Sequence, residues 1–262
     1  MKPKLVVLVV VLLLVAMIPA LVMAQGQAKP QKMGHVTLDI RQPVGPQLDA
    51  QLGVGAKGAR AVGAPLVARP RATSAGIQPN AVYALLNDGF EMPAWPSTIG
   101  DANGWQFAEF GFSPVGWDAT DYMAKRGDQS LYSAGWLNDP YVNPFYDNDM
   151  YSWVVYQMDL QGARRAQVRF QFMNDTEFFF DNFYWCASAD GFIFSCYYHT
   201  GSTNDKWRLV QLDSKTDATL ASMLESPFAY YGFLFESDFS IVDRGTFVDA
   251  FRIRVWGPSP IN

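Results

Sequence analysis

Side chains that carry chemistry are scarce in this chain. Its 262 residues include two cysteines and two histidines, His35 and His199. That excludes most zinc chemistry, which draws its ligands from Cys and His clusters. The patterns HExxH and GxSxG, a glycine-rich phosphate loop and a Cys–His pairing are all missing. Charge is thin, with Asp, Glu, Lys and Arg making up 17% of the chain; helix-rich soluble proteins carry more Glu, Lys and Leu. Residues 25–80 have no aromatic residue at all. Rich in Ala, Gly and Pro, they lack the apolar surface to offset their ordering entropy and read as a linker. Positive charge is short in residues 81–262, where eleven Lys/Arg face twenty-three Asp/Glu, a net of −12. Such a domain is a poor partner for nucleic acid.

What is present is aromatic. Eight Trp, twelve Tyr and nineteen Phe suit pleated sheets packed face to face. The chain is long enough for one well-packed domain. At the N-terminus, Lys2 and Lys4 precede an apolar run from Leu5 to Ile18, and Val22-Met23-Ala24 offers small residues for cleavage before Gln25. Residues 1–24 are therefore read as a signal peptide. The alternative is an uncleaved anchor, since Leu5 to Met23 is nearly bilayer-spanning. Either way the rest of the chain is exported.

From residue 81 to residue 262 short alternating runs recur. "QVRFQF" (167–172) and "WRLVQLD" (207–213) alternate, "FFFDNFYWCAS" and "FIFSCYYHT" flank Asp190-Gly191, and "YYGFLFES" and "TFVDAFRIRV" close the domain. Asp-Gly is a hairpin turn signal, and a turn near Gly191 sets Cys186 opposite Cys196. In an oxidising compartment this predicts a cross-strand disulfide; two small buried thiols are the other reading. In the linker, "HVTLDI" (35–40) has the pattern of a short strand, and 216–224 loosens to helical spacing. Many short strands with little helix predict an all-β, two-sheet antiparallel β-sandwich.

The ordered set "NDGFE" (87–91), "GWDATDYMAKRGDQSLYSAG" (116–135), "YDNDMYSWVVYQMDL" (146–160), "AQVRFQFMNDTEFFFDNFYWCASADG" (166–191) and "FESDFSIVDRGTFVDAFRI" (235–253) resembles the MAM-like jelly-roll domains of secreted immune-inhibitor-A-type peptidases and related exported bacterial proteins. The resemblance spans roughly residues 85–256. It implies a jelly roll with a binding or structural role and no chemistry of its own. It also implies a structural calcium ion between the first and last strands, at positions matching Glu91, Asp128 and Asp249, with Asp88 assisting from the preceding loop. The family's last motif has two adjacent acids where this chain has Asp249 and Ala250, which removes one carboxylate. Calcium prefers six to eight oxygen ligands.

Two further groups carry possible function. The loop "WLNDPYVNPFYDNDMYSW" (136–153) sets Tyr141, Phe145, Tyr146 and Tyr151 among Asn, Asp and Pro, the makings of a ligand-binding surface. Asp175, Glu177 and Asp181 end one strand, and Glu236 and Asp238 end another. They form an acidic rim or, as a weaker reading, the paired carboxylates of a glycoside hydrolase. His199 reads as a strand-end surface residue. Together these features predict an exported, non-enzymatic binding or adhesion module whose partner is glycan or protein at the cell surface. The alternative is a structural subunit of a cell-envelope assembly, in contact with a membrane only if residues 1–24 stay uncleaved.

Overall fold

A computed structural model describes residues 31–39, 75–91, 104–136 and 138–261; the N-terminal segment and most of the linker lie outside the described residues. Among the described residues, twelve strands and one short helix follow in order: β1 (Gln31–Asp39), β2 (Ala75–Asp88), β3 (Trp105–Glu109), β4 (Gly116–Thr120), β5 (Ser130–Trp136), β6 (Tyr151–Met158), β7 (Arg165–Asp175), β8 (Asn182–Ser188), β9 (Ile193–Gly201), β10 (Arg208–Asp213), α1 (Ala218–Ala221), β11 (Ala229–Glu236) and β12 (Gly245–Ile261). They form two antiparallel sheets. Sheet A runs β1-β9-β8-β11-β6-β3. Sheet B runs β10-β7-β12-β5-β4, with β2 also pairing along β12. The expected two-sheet antiparallel sandwich of jelly-roll type is the architecture found.

Alternation decides which side chains enter the space between the sheets. From β7 these are Val168, Phe170 and Phe172, from β8 Phe183 and Trp185, from β11 Tyr231, Phe233 and Phe235, and from β12 Phe251, Ile253 and Val255, all buried. Phe233 meets Phe170 edge to face at 5.1 Å and Phe251 at 5.7 Å, geometries that aromatic quadrupoles favour. A second cluster occupies the other face of sheet A, with Trp153, Val155, Tyr184, Phe194, Tyr230 and Leu234. The expected hairpin is present. Cys186 and Cys196 are direct partners across β8 and β9 and form a disulfide. At the turn, the Asp190 carboxylate accepts from the backbone N–H of Phe192 at 2.8 Å and of Ile193 at 3.0 Å, the local bonding that favours Asp in turns.

Three local details differ from the sequence reading. The short strand expected at 35–40 within the linker is present as β1, but it starts earlier, at Gln31, and pairs along its whole length with β9; β2 also starts within the expected linker, at Ala75. The helix is reduced to the single turn α1, N-capped by Asp217, whose carboxylate accepts from Leu220 N–H. In β12, strict alternation would put Phe247, Asp249 and Phe251 on one face. Instead the register against β7 shifts between Asp249 and Arg252, and Ala250 sits at φ 53°. This is a β-bulge, and it reverses the facing of everything beyond it. Phe251 turns into the core, while Arg252 and Arg254 turn out.

Candidate functional site

Loops 138–149, 176–181 and 237–244 meet at one end of the sandwich. Tyr146 is the pin: it is 1% exposed and packs edge to face on Phe235 at 4.9 Å. Its hydroxyl donates to Asp181 Oδ2 and accepts from the Glu177 N–H at 3.2 Å. Asp181, fully buried, takes the Asp238 N–H on its other oxygen at 2.8 Å. Ser240 Oγ lies 2.8 Å from both Glu177 Oε2 and Asp238 Oδ1. Backbone bonds from Tyr146 N to Asp243 O and from Asp149 N to Asp238 O complete the lock. A loop whose polar groups are satisfied by its neighbours holds one shape.

Carboxylate oxygens of Glu177, Asp181 and Asp238 lie within 4.8 Å of one another, a grouping that could hold a metal ion. Burial pushes the Asp181 carboxyl up to about 6, opposed by its hydrogen bonds from Tyr146 and Asp238 and reinforced by the charges of Asp238 and Glu177. The two strands expected to carry the acidic rim, β7 and β11, lie in opposite sheets and do not pair. Asp181 meets Asp238 because β8, which follows Asp181, pairs with β11 and sets Asn182 opposite Glu236, and Glu177 joins them from the loop between β7 and β8. Asp175 is elsewhere, 3.1 Å from Arg244 in an ion pair. Glu236 accepts from Tyr184 OH at 2.6 Å, and burial raises its pKa.

Around this locked base, large apolar side chains face solvent. Phe179 is 59% exposed, Phe180 58%, Phe239 74% and Ile241 62%. Phe179 has φ 76°, a left-handed conformation that costs an aromatic residue energy and that the surrounding bonds must enforce. Lys32 of β1 lies over its ring, 5.3 Å from the centroid.

The four aromatic residues predicted to bind ligand are not gathered together. Tyr141 and Phe145 are exposed on loop 138–149; Tyr141 packs edge to face on Tyr122 at 5.3 Å. Tyr146 is the buried pin. Tyr151 opens β6 and packs against the second cluster on sheet A. The predicted metal set is placed beside sheet B. Asp249, fully buried on the outer face of that sheet, accepts through Oδ2 from the N–H groups of Lys125 and Arg126, each at 2.7 Å, and through Oδ1 from Ala250 N–H. Glu91 accepts from Asp128 N–H at 2.9 Å. Gly127, at φ 65°, passes so close to Glu91 that a Cβ there would overlap its carboxylate. The Asp128 side chain is exposed. Asp88 is spent on Phe90 N–H at 2.7 Å and Trp105 Nε1–H at 3.0 Å. Thus Glu91 and Asp249 converge on one loop, 121–129, and both accept from its backbone donors.

His199 is not a surface residue. It is 1% exposed, its Nδ1 lies 3.1 Å from Asn174 Nδ2, and burial lowers its pKa to about 4. That burial favours the neutral imidazole at physiological pH.

The outer face of sheet B, absent from the expected sites, sets Arg169 directly opposite Arg252, with Arg254 two residues along β12. The signal was available: in "QVRFQF" and "FRIRVW" arginines alternate with core residues.

No family model matches the chain, and no curated protein matches it; the resemblance to MAM-like domains stays a resemblance. Among solved structures, the chain is similar to TmCBM61, determined with β-1,4-galactotriose, at 12% identity over 59% of this chain and 90% of that one (TM-score 0.39). It is similar to a cleaved adhesin domain of Lys-gingipain from Porphyromonas gingivalis at 14% identity over 66% and 97% (TM-score 0.44). It is also similar to the CBM22-1 xylan-binding domain of Paenibacillus barcinonensis Xyn10C at 15% identity over 69% and 99% (TM-score 0.42).

Proposed function

We propose that the protein is an exported, non-enzymatic binding or adhesion module that presents its locked loop end to a glycan or protein at the cell surface. The observation that carries this reading is the pairing of a rigid base with an exposed apolar rim. Phe179, Phe180, Phe239 and Ile241 each leave more than half their surface in water, while the loops beneath them are fixed by Tyr146 and Asp181. Aromatic side chains held in place lose little freedom on binding, which is what a flat saccharide ring or a protein surface rewards. The acids there are poorly set for hydrolysis. A glycosidase needs an acid and a base that reach the scissile bond, whereas Asp181 is buried with both oxygens bonded. The Cys186–Cys196 disulfide supports an oxidising destination.

Calcium enters this reading as a structural ion. Among the described residues, Glu177, Asp181 and Asp238 are the carboxylate grouping close enough to share an ion. The reading is tested by screening the protein against polysaccharides, cell-wall material and secreted proteins, alongside Phe179→Ala/Phe239→Ala. Binding abolished in the variant, with melting unchanged, supports it. Binding that the variant retains contradicts it.

A second reading is a membrane-tethered envelope subunit. It draws on β1, which begins at Gln31, only eight residues after Met23. N-terminal sequencing decides between the two: a start at Gln25 removes the tethered version.

A further inference from the structure

Positive charge is scarce in residues 81–262, yet it is collected in one place. The bulge at Ala250 turns Arg252, Arg254 and Trp256 outward along β12. The register sets Arg169 opposite Arg252, Gln167 opposite Arg254 and Arg165 opposite Trp256. At one end of this row, Asp249 holds the Arg126 N–H at 2.7 Å and so fixes Arg126 beside it. At the other end is a cleft of about 270 Å³ lined by Arg164, Arg165, Lys215, Trp256 and Gly257. Seven of the eleven cations of residues 81–262 therefore share one face.

Within this group Arg165 has an acidic partner, Asp213, and also lies over the Trp256 ring, 4.3 Å from its centroid. Arg126, Arg169 and Arg254 are exposed. Like charges directly opposite on neighbouring strands destabilise a sheet. The mutual cost is visible at Arg252: burial first, then Arg254, Arg169 and Arg126, hold its pKa below the usual arginine range. A face that gathers repelling arginines in an otherwise acidic domain is built for an anion.

We propose that the outer face of sheet B binds an anionic polysaccharide, a glycan carrying carboxylates or sulfates, running from Arg126 along Arg252 and Arg254 into the Trp256 cleft. The chemistry favours a saccharide over the other polyanions. Two-residue steps along a strand place Arg252 and Arg254 about 7 Å apart on a flat face, which suits an extended chain with spaced charges. Gln167 lies between Arg165 and Arg169 and donates its amide N–H to Asp213 at 2.7 Å, which leaves its carbonyl oxygen to accept from a hydroxyl; Gln171 lies beyond Arg169, opposite Asp249. Trp256, with Arg165 over its ring, borders the shallow cleft at the end of the row. A duplex nucleic acid, with its dense charge, would meet the repulsion of the whole acidic domain. This face is separate from the loop end, and the inference stands whether or not the loop end binds anything.

The test is a titration of the full chain with polygalacturonate, a neutral galactan, duplex DNA and phosphatidylserine vesicles, at low and at physiological ionic strength. Polygalacturonate is expected to bind, and binding should weaken as salt rises. Arg169→Gln/Arg254→Gln should weaken it about tenfold and melt no lower than the wild type, because repulsion has been removed. Lys206→Gln, a cation in the turn between β9 and β10, should bind like the wild type. The proposal is overturned if the galactan binds as well as polygalacturonate, if DNA or vesicles bind more tightly, or if the double variant binds normally. A double variant that melts lower would show that the arginines serve the fold instead.

Discussion

Replacing Asp249 with Ala tests how the loop over sheet B is held. In the native protein one buried carboxylate oxygen accepts two N–H groups, from Lys125 and Arg126, both at 2.7 Å. Hydrogen bonds to a charged group contribute roughly 1.5–3 kcal/mol each. Losing both costs about 3–6 kcal/mol before compensation. Two terms reduce this. Burial raises the Asp249 pKa, so the native charge already carries a desolvation cost that the substitution removes. Water can also reach the half-exposed loop and rebond the freed donors. A net loss of about 2–3 kcal/mol follows, which for a domain of this size lowers Tm by about 4–12 °C. Urea unfolding followed by Trp fluorescence measures it, and amide exchange at Lys125 and Arg126 localises it: both should exchange much faster in Asp249→Ala. A loss under about 0.5 kcal/mol, with unchanged exchange at these amides, would refute the anchoring role.

The remaining predictions concern separate parts of the molecule. Gly127→Ala should destabilise by about 1–3 kcal/mol, because it combines a positive φ with overlap on Glu91; equilibrium unfolding checks it. Reducing the Cys186–Cys196 disulfide, which closes a ten-residue separation, should cost about 2.7 kcal/mol by loop entropy, read as a lower urea midpoint. The Asp181 pKa of about 6 lies above its unfolded value. The native state therefore binds more protons between these values, and this contribution to stability is lost as pH rises through about 6. Asp118, raised by burial to about 6, acts in the same direction. His199, lowered to about 4, opposes both as pH falls below its unfolded value. Asp181→Asn should therefore reduce whatever the wild type gains in Tm between about pH 7.5 and pH 5.5.

Much of the sandwich was legible because its strands obey period two without interruption. Val168, Phe170 and Phe172 point where alternation puts them, and Asp190-Gly191 set the register that joins Cys186 to Cys196. Alternation failed at β12, where Ala250 adopts a conformation for which alanine gives no signal. That one residue changed the facing of Phe251 and turned Arg252 and Arg254 outward. Asp249 is singled out in the sequence as a position matching a calcium ligand; the donors that hold it come from a loop 123 residues away in sequence, which no local pattern signals. The Glu177–Asp181–Asp238 grouping was harder to read, since it depends on β8 pairing with β11, two strands far apart in sequence. Tyr146 was named as an exposed binder from its polar surroundings. Only the packing shows that it is the pin beneath the exposed rim.

The central claim is that a rigid loop end displays Phe179 and Phe239 to a ligand. The most direct measurement is the binding of one ligand, identified in a glycan and cell-wall screen, to the wild type and to Phe179→Ala/Phe239→Ala, with Tm measured on both. We predict loss of binding by at least about tenfold, 1.4 kcal/mol, with Tm unchanged within about 2 °C. Full binding by the variant, or an equal loss of binding and fold, would contradict it.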